Sequence, residues 1–402
     1  MPRALYPILF IQFLSTFVDN AFLLMVMARV LELDRAAWII PLLKLTSTVF
    51  YVFLAPIIGV LSDVYAKGGI ILVANILRLT GVVALMTGME PILAMGINAL
   101  GSALHAPAKY GLLTELAGEN QLVRVNGIFE SASVCAVLSG TVFGGWLIGT
   151  WFNNFNLTFG PSMNPMGSPL FWGLLLLLLL NSIVIVLCLG LSMKNSAQVI
   201  NMPEASQWIS QFIKENRLLL NDKLGGLSLM ATTLLWRVGA TLQLIVLRWG
   251  TEQLGLSLEY SAYLQASIAV GIVLGAILAS RYVQLEVAHK LIPLGVVLGL
   301  LVPLLVFITQ IFWAVIFLIF VGALSGFFIV PMNALLQHRG VTLLSSGRSV
   351  AVQGFFENLG MLIILALYAF ATAQNLPLFI LIFCFGFFVC ISMLLILMRK
   401  NK

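Results

Sequence analysis

Runs of roughly 20 consecutive apolar residues, each long enough at 1.5 Å per residue to cross about 30 Å of hydrocarbon, recur along this sequence from one end to the other. They lie near 5–30, 37–62, 69–89, 91–113, 124–150, 168–192, 224–248, 260–280, 289–309, 311–337, 346–373 and 376–398. Lipid gives a peptide group no hydrogen-bond partner, and the runs lack the polar-apolar alternation of barrel strands, so each is predicted to be a helix. Composition agrees: 61% of the residues are apolar and 9% charged, with a mean hydropathy of +1.07, so water is not the main solvent. The first run is too long for a secretory signal, contains Asp19 and is followed by many like it, and is read as the first span.

An even number of spans puts both termini on one side, and positive residues are retained in the cytoplasm. With the N-terminus inside, the cytoplasmic segments hold Arg3, Lys67, Lys109, Arg124, Lys194, Lys214, Arg217, Lys223, Arg281, Lys290, Arg339, Arg348, Arg399, Lys400 and Lys402. Arg29, Arg35 and Arg248 fall outside, and Lys44, Arg78 and Arg237 within spans. Fifteen against three predicts cytoplasmic termini. It also explains the net charge of +6 without nucleic acid, since the basic residues form no cluster or stripe.

The longest hydrophilic stretch, Lys194 to Lys223, separates spans six and seven. Trp208, Ile209, Phe212 and Ile213 recur in it at helical spacing, which predicts an amphipathic helix either on the inner leaflet or against neighbouring loops.

The halves on either side repeat. Val125-Asn-Gly-Ile-Phe-Glu130 matches Val352-Gln-Gly-Phe-Phe-Glu357 at an offset of 227, Pro107 and Pro331 are read as ending spans four and ten at an offset of 224, and Gly59 to Tyr65 resembles Gly275 to Tyr282. Six helices return the chain to its starting side, so the halves share orientation about an axis along the membrane normal, as in the major facilitator architecture. The expected fold is an all-α integral membrane protein: a six-helix bundle over 1–193, a linker with its amphipathic helix over 194–223, and a pseudo-symmetric six-helix bundle over 224–402.

Span two ends in Gly59-Val-Leu-Ser-Asp63-Val-Tyr-Ala-Lys67-Gly68, similar to the G-x-L-x-D-x-x-G-x-K loop of the same superfamily with Ala66 in place of a glycine. Such a turn carries a carboxylate able to cap a helix start and clamp one conformation. Ionisable groups inside spans cost several kcal/mol when unpaired, so each is a functional candidate. Asp19 in span one and Arg237 in span seven lie at matched depth, 218 residues apart, and are expected to face each other as a headgroup-binding acid and base or as a structural pair. Lys109, Glu130 and Glu357, with Asp63, are candidates for gating or interhelical charge. Lys44 and Arg78 lie near span ends and are expected to snorkel to the interface.

No catalytic constellation is present. His105, His289 and His338 begin no H-x-x-x-x-D box and have no metal-ligand neighbour, no Gly-Lys dipeptide exists for a phosphate-binding loop, and Cys135, Cys188, Cys384 and Cys390 form no C-x-x-C pair. No metal or cofactor is called for, and movement of a solute would run on a gradient or downhill.

Several blocks carry a closer resemblance: Gln12-Phe-Leu-Ser-Thr-Phe-Val-Asp19-Asn20, Ala106-Pro-Ala-Lys109-Tyr-Gly, Val125 to Glu130, Val330-Pro-Met-Asn333-Ala-Leu-Leu-Gln337 and Phe356-Glu357-Asn358. Over nearly the whole chain they are similar to the bacterial lysophospholipid transporters of the major facilitator superfamily, the LplT family. The resemblance implies an inner-membrane flippase moving lysophosphatidylethanolamine and related 2-acyl lysolipids to the inner leaflet, with a functional link to a cytoplasmic-face acyltransferase/acyl-carrier-protein synthetase. It also implies a headgroup site at Asp19 and Asn20 on span one with Arg237 or Gln243 on span seven. The arginine of the family's seventh span aligns at Gln243, whereas this chain has Arg237 six residues earlier, on a different helix face. The alternative function is a proton-coupled drug or metabolite antiporter with Asp19 as the proton carrier, and an alternative from another class is a non-transporting scaffold or receptor.

Overall fold

The computed structural model describes residues 5–34, 39–149, 170–192, 204–256, 258–374 and 376–400. Thirteen α-helices and no strand occur among the described residues. The first six are α1 (Leu5–Glu32), α2 (Ile39–Val64), α3 (Lys67–Met86), α4 (Pro91–Ala117), α5 (Leu122–Ile148) and α6 (Phe171–Ser192). After the amphipathic α7 (Trp208–Asn221) come α8 (Lys223–Glu252), α9 (Leu258–Tyr282), α10 (Ile292–Leu301), α11 (Ile311–Leu343), α12 (Ser346–Ala373) and α13 (Leu378–Lys400). Ten segments are long and apolar enough to cross a membrane, and α2 and α4, 26 and 27 residues long, complete the expected twelve.

Prolines account for two differences from expectation. Pro107 and Pro331 do not end their spans but stand inside α4 and α11, which run on to Ala117 and Leu343. A proline costs one N–H and crowds one carbonyl, and packed neighbours in a membrane bundle tolerate that local loss. The ninth span, expected as one helix, is divided instead. Its α-helical piece α10 is flanked by 3-10 segments Leu285–Leu291 and Val302–Phe307, with Pro293 and Pro303 near the starts of the second and third pieces. The Pro303 ring packs where Gly386 of α13 leaves room for it.

Without a hydrophobic force between helices in lipid, close backbone approach does the packing. In the most extensive pair, α9 and α11, Gly271 and Gly275 lie on the backbone of Ile319 and Ala323, while Gly322 and Gly326 lie on that of Ile268 and Ile272. A side chain at any of the four would collide with main chain.

The two sets of six helices meet through α2 on α12 and α5 on α9, with α4 and α5 also touching α12 and α11. Small residues make these seams: Gly59 packs on Ala351, and Gly127 on Ala276 and Ser280. Helix α7 lies beneath the α2–α12 seam at the end where α8 begins, touching α2, α8, α11 and α12. Helices α1 and α8, by contrast, are not an extensively packed pair. The molecule is closed at the α7 end and parted between α1 and α8.

Candidate functional site

Three polar layers lie along the bundle axis. The first belongs to the N-terminal helices. Asp19 on α1 pairs with Arg78 on α3, Oδ2 to Nη2 at 3.1 Å. Asn98 Nδ2 donates to Asp19 Oδ1 at 3.3 Å, and Ser102 Oγ, also on α4, donates to Oδ2 at 3.2 Å. Arg78 also donates from Nε to Ser102 Oγ and from Nη1 to Asn75 Oδ1, each at 3.3 Å. Gly101 lets α4 approach this close, since a Cβ there would meet the Ala74 carbonyl and the Arg78 stem.

This geometry corrects two expectations. Asp19 does not face Arg237 as a pair, because Arg78 neutralises it within its own half. Arg78 does not snorkel: it is buried, with its charge paired and each guanidinium nitrogen in contact with a partner where it stands. The Lys44 side chain lies outside the described residues.

The second layer is a cavity of about 260 Å³ between α2, α4, α8, α11 and α12. Lys109 and Tyr110 enter from α4, Tyr51 from α2, Trp236 from α8, and Asn333 and Glu357 from α11 and α12. Lys109 Nζ stands 3.9 Å from the Tyr110 ring centroid, a cation–π arrangement. Gln353 Nε2 donates to Glu357 Oε1 at 2.7 Å and lies 3.1 Å from Asn333 Oδ1. Glu130 on α5 is near enough to interact electrostatically with both Lys109 and Glu357. Tyr51 joins the two layers, lining the cavity and donating its hydroxyl to the Ser102 carbonyl at 2.9 Å.

The third layer closes the α7 end. Asp63, at the end of α2, pairs with Arg348 of α12 at 3.1 Å and accepts from the Ser345 hydroxyl and from Gly347 N at 3.3 Å. It thus sits at the N-terminus of α12, where a negative charge meets unpaired N–H groups and the positive end of the helix dipole. Arg348 also reaches Glu215 of α7 at 2.9 Å. Asn126 of α5 and Gln337 of α11 exchange two hydrogen bonds, at 2.8 and 2.9 Å, across the same interface. Lys67 pairs with Glu115 at 2.5 Å between α3 and α4. Asp222, which caps α8 through Gly225 N, is held below the usual carboxylate range by the hydrogen bonds of Arg339. Its contribution to stability is present above that range and lost in acid.

The remaining candidates do not line the cavity, although Arg237 adjoins it, next to the lining Trp236 and against Gly360 beside the lining Met361. Asn20 donates to the Thr16 carbonyl of its own helix at 2.8 Å. Gln243 pairs with Gln265 of α9 at 2.9 Å on an exposed face. Arg237 lies against Gly360 of α12, which has no room for a side chain, and its buried Nε has no hydrogen-bond partner among the described residues. Sequence reasoning missed Tyr51, Tyr110, Trp236, Asn333 and Gln353. All but Tyr51 adjoin or belong to segments already singled out, and helical spacing from Lys109 and Glu357 would have reached some of them.

The Major Facilitator Superfamily model matches residues 5–364. The Escherichia coli fucose:proton symporter FucP superposes with a TM-score of 0.73 at 14% identity, over 99% of both chains. A bacterial homologue of the iron transporter ferroportin, solved in an outward-facing state, gives 0.71 at 14% identity over 100% of this chain and 98% of that one. Twelve apolar helices around a charged internal cavity, with that match, define a multi-pass membrane transporter of the major facilitator superfamily. Curated proteins named Lysophospholipid transporter LplT from Yersinia pestis and Yersinia pseudotuberculosis are 32% identical over 378 residues, 94% of this chain and 89% of theirs. The chain belongs to their family.

Coupling between charges tests the geometry. Asp19→Asn and Arg78→Gln should each lower the thermal stability of the purified protein, and together cost less than the sum of the two, with a coupling on the order of 1–3 kcal/mol. Asp19→Asn with Arg237→Gln should add independently. Coupling of Asp19 to Arg237 instead would restore the pair expected from sequence.

Proposed function

We propose that this protein is a lysophospholipid flippase of a bacterial inner membrane, rather than an enzyme, and that the cavity holds the headgroup of lysophosphatidylethanolamine or a related 2-acyl lysolipid. One observation carries the reading: the cavity places a cation and a carboxylate on opposite halves, Lys109 on α4 and Glu357 on α12. A zwitterionic headgroup needs that arrangement, with phosphate toward Lys109 and ammonium toward Glu357. The names of the relatives support the substrate class. The acyl chain remains in apolar surroundings between helices, which spares its transfer through water.

Among the residues proposed from sequence, Arg237 becomes a second phosphate anchor. Gly360, against which it lies, is three positions from Glu357 on α12 and so on the same helix face. Asp19 acts through Arg78 to hold the α1–α3–α4 wall, and Asn20 and Gln243 stay at the margin of the site. Asp63, Glu130 and the Asn126–Gln337 pair act as the gate. Delivery is to the inner leaflet, where an acyltransferase/acyl-carrier-protein synthetase re-acylates the product.

The two bundles, 1–193 and 224–402, rock about the linker 194–223 in this scheme, with both termini cytoplasmic on the charge asymmetry of fifteen to three. A reporter enzyme fused after Lys402 should therefore be active only inside the cell. Activity in the periplasm would invert the gate.

Initial uptake rates in proteoliposomes, normalised to folded protein, test the headgroup assignment. Glu357→Gln should reduce lysophosphatidylethanolamine uptake about tenfold while sparing lysophosphatidylglycerol, because only the former offers an ammonium to a charged hydrogen bond worth roughly 1.5–3 kcal/mol. Lys109→Gln and Arg237→Gln should impair both lipids, which share the phosphate. Equal loss of the two lipids in the Glu357 variant would rule out the assignment.

A further inference from the structure

Helix α7 has more apolar surface than its packing uses. At 100° per residue, Phe212, Glu215 and Leu219 form one face, and all three are buried against the α2–α12 seam and its neighbours. Phe212 stacks edge-on against Phe355 at 5.3 Å, and Glu215 meets Arg348. A second stripe, about a quarter-turn round, runs through Ile209, Ile213 and Leu220. Ile209 is 67% exposed and Ile213 46%. Next round the helix comes Arg217, and beyond Ser210 and Asn221 comes Lys214, which borders the recess at Asp63 and Arg348; both cations are exposed and neither is in an ion pair with a described residue. Past Lys214, the half-exposed Leu218 and Gln211 lead round to the protein contact again.

A protein contact, an exposed apolar stripe and a polar face bearing two cations on one helix is the pattern of an element lying in a bilayer interface. The fastening of α7 agrees. Its C-terminal end is tied to membrane-spanning helices: Arg399 of α13 donates to the Leu220 carbonyl, and Asp222 both caps α8 and binds Arg339 of α11. The exposed stripe therefore sits at the level where α8 and α13 meet the membrane surface. Two isoleucines in open water would gain nothing there. In the acyl boundary they are buried, and Arg217 and Lys214 then lie at the depth of lipid phosphates.

We propose that α7 binds anionic phospholipid headgroups through Lys214 and Arg217, with Ile209 and Ile213 inserted in the same leaflet, and that this occupancy stabilises closure of the gate. The link is mechanical: the face opposite the lipid carries Glu215 on Arg348, and Arg348 in turn pairs across the seam with Asp63. Leaflet charge thereby biases the conformation of the protein. The proposal rests on the membrane placement in the preceding section and not on the identity of the transported solute.

The test needs no transport. The full chain carries Ile213→Cys with an environment-sensitive fluorophore, in a background of Cys135→Ser and Cys384→Ser to remove the exposed thiols. It is reconstituted with brominated phosphatidylethanolamine, with and without phosphatidylglycerol. Quenching should be present in both membranes and should rise with the anionic lipid, together with the melting temperature. Lys214→Gln with Arg217→Gln should abolish the rise in both, with association weakened about fivefold per cation removed. Glu215→Gln should keep the rise in quenching and lose the rise in melting temperature. Absence of quenching in the labelled parent, quenching indifferent to phosphatidylglycerol, or an undiminished response when Lys214→Gln and Arg217→Gln are added would overturn the proposal. So would a label shielded only on adding a soluble protein partner. Failure of lysolipid uptake in the same vesicles, with the quenching response intact, would count against the solute assignment alone.

Discussion

Arg348 pairs with two carboxylates at once, Asp63 from across the interface between the halves and Glu215 from the linker helix. Three elements that are distant in sequence meet on that one guanidinium: the end of α2, the start of α12 and the middle of α7. All three side chains are largely withdrawn from water. Removing Arg348 would leave both carboxylates unpaired, and breaking even a single buried pair typically costs about 3–5 kcal/mol. The closed floor, the cavity above it and the docking of α7 all follow from keeping that group intact.

The other polar contacts divide into two kinds. Asp19 with Arg78, Lys67 with Glu115, and Asp222 with Arg339 lie within one half or tie the linker's end to the C-terminal half. These can persist whatever the halves do relative to one another. Asp63 with Arg348 and Asn126 with Gln337 cross between halves, as does the Ser346 hydroxyl on Glu115. Only this second kind must break for the floor to part. In a medium without competing water the first kind is costly to disturb, so it gives each bundle a rigid interior, while a small set of crossing contacts sets which end is closed. The seams are compatible with such motion, since Gly59 on Ala351 and Gly127 on Ser280 are contacts of small residues.

The sequence was most informative where a one-dimensional rule applies. Apolar length located the spans, the recurrence of Val125–Glu130 as Val352–Glu357 exposed the repeat, and the run ending in Asp63 marked the turn that faces α12. It was least informative where the outcome depends on direction around a helix. Asp19 and Arg237 match in depth, but depth along a helix says nothing about azimuth, and the neighbour that α1 presents to Asp19 is α3 with its Arg78. Arg78 was misread for the same reason: proximity to a span end made water its expected partner, and only packing brings Asn75, Ser102 and Asp19 round it. Pro107 and Pro331 looked like stops because in water they often are, whereas a packed bundle tolerates them. Of the cavity's polar lining, Lys109 and Glu357 announced themselves by charge; Tyr51 and Trp236 carry no such signal among so many aromatic residues.

The central claim is that the Arg348 group holds the floor closed, and a distance across that floor tests it. Spin labels at Tyr65→Cys, just after α2, and Tyr282→Cys at the end of α9, both exposed at the α7 end, would be read by pulsed electron resonance in a background with the four native cysteines replaced. The parent protein should give one short-distance population, and Arg348→Gln should shift weight to longer distances. A distribution unchanged by Arg348→Gln, with the protein still folded, would contradict the account.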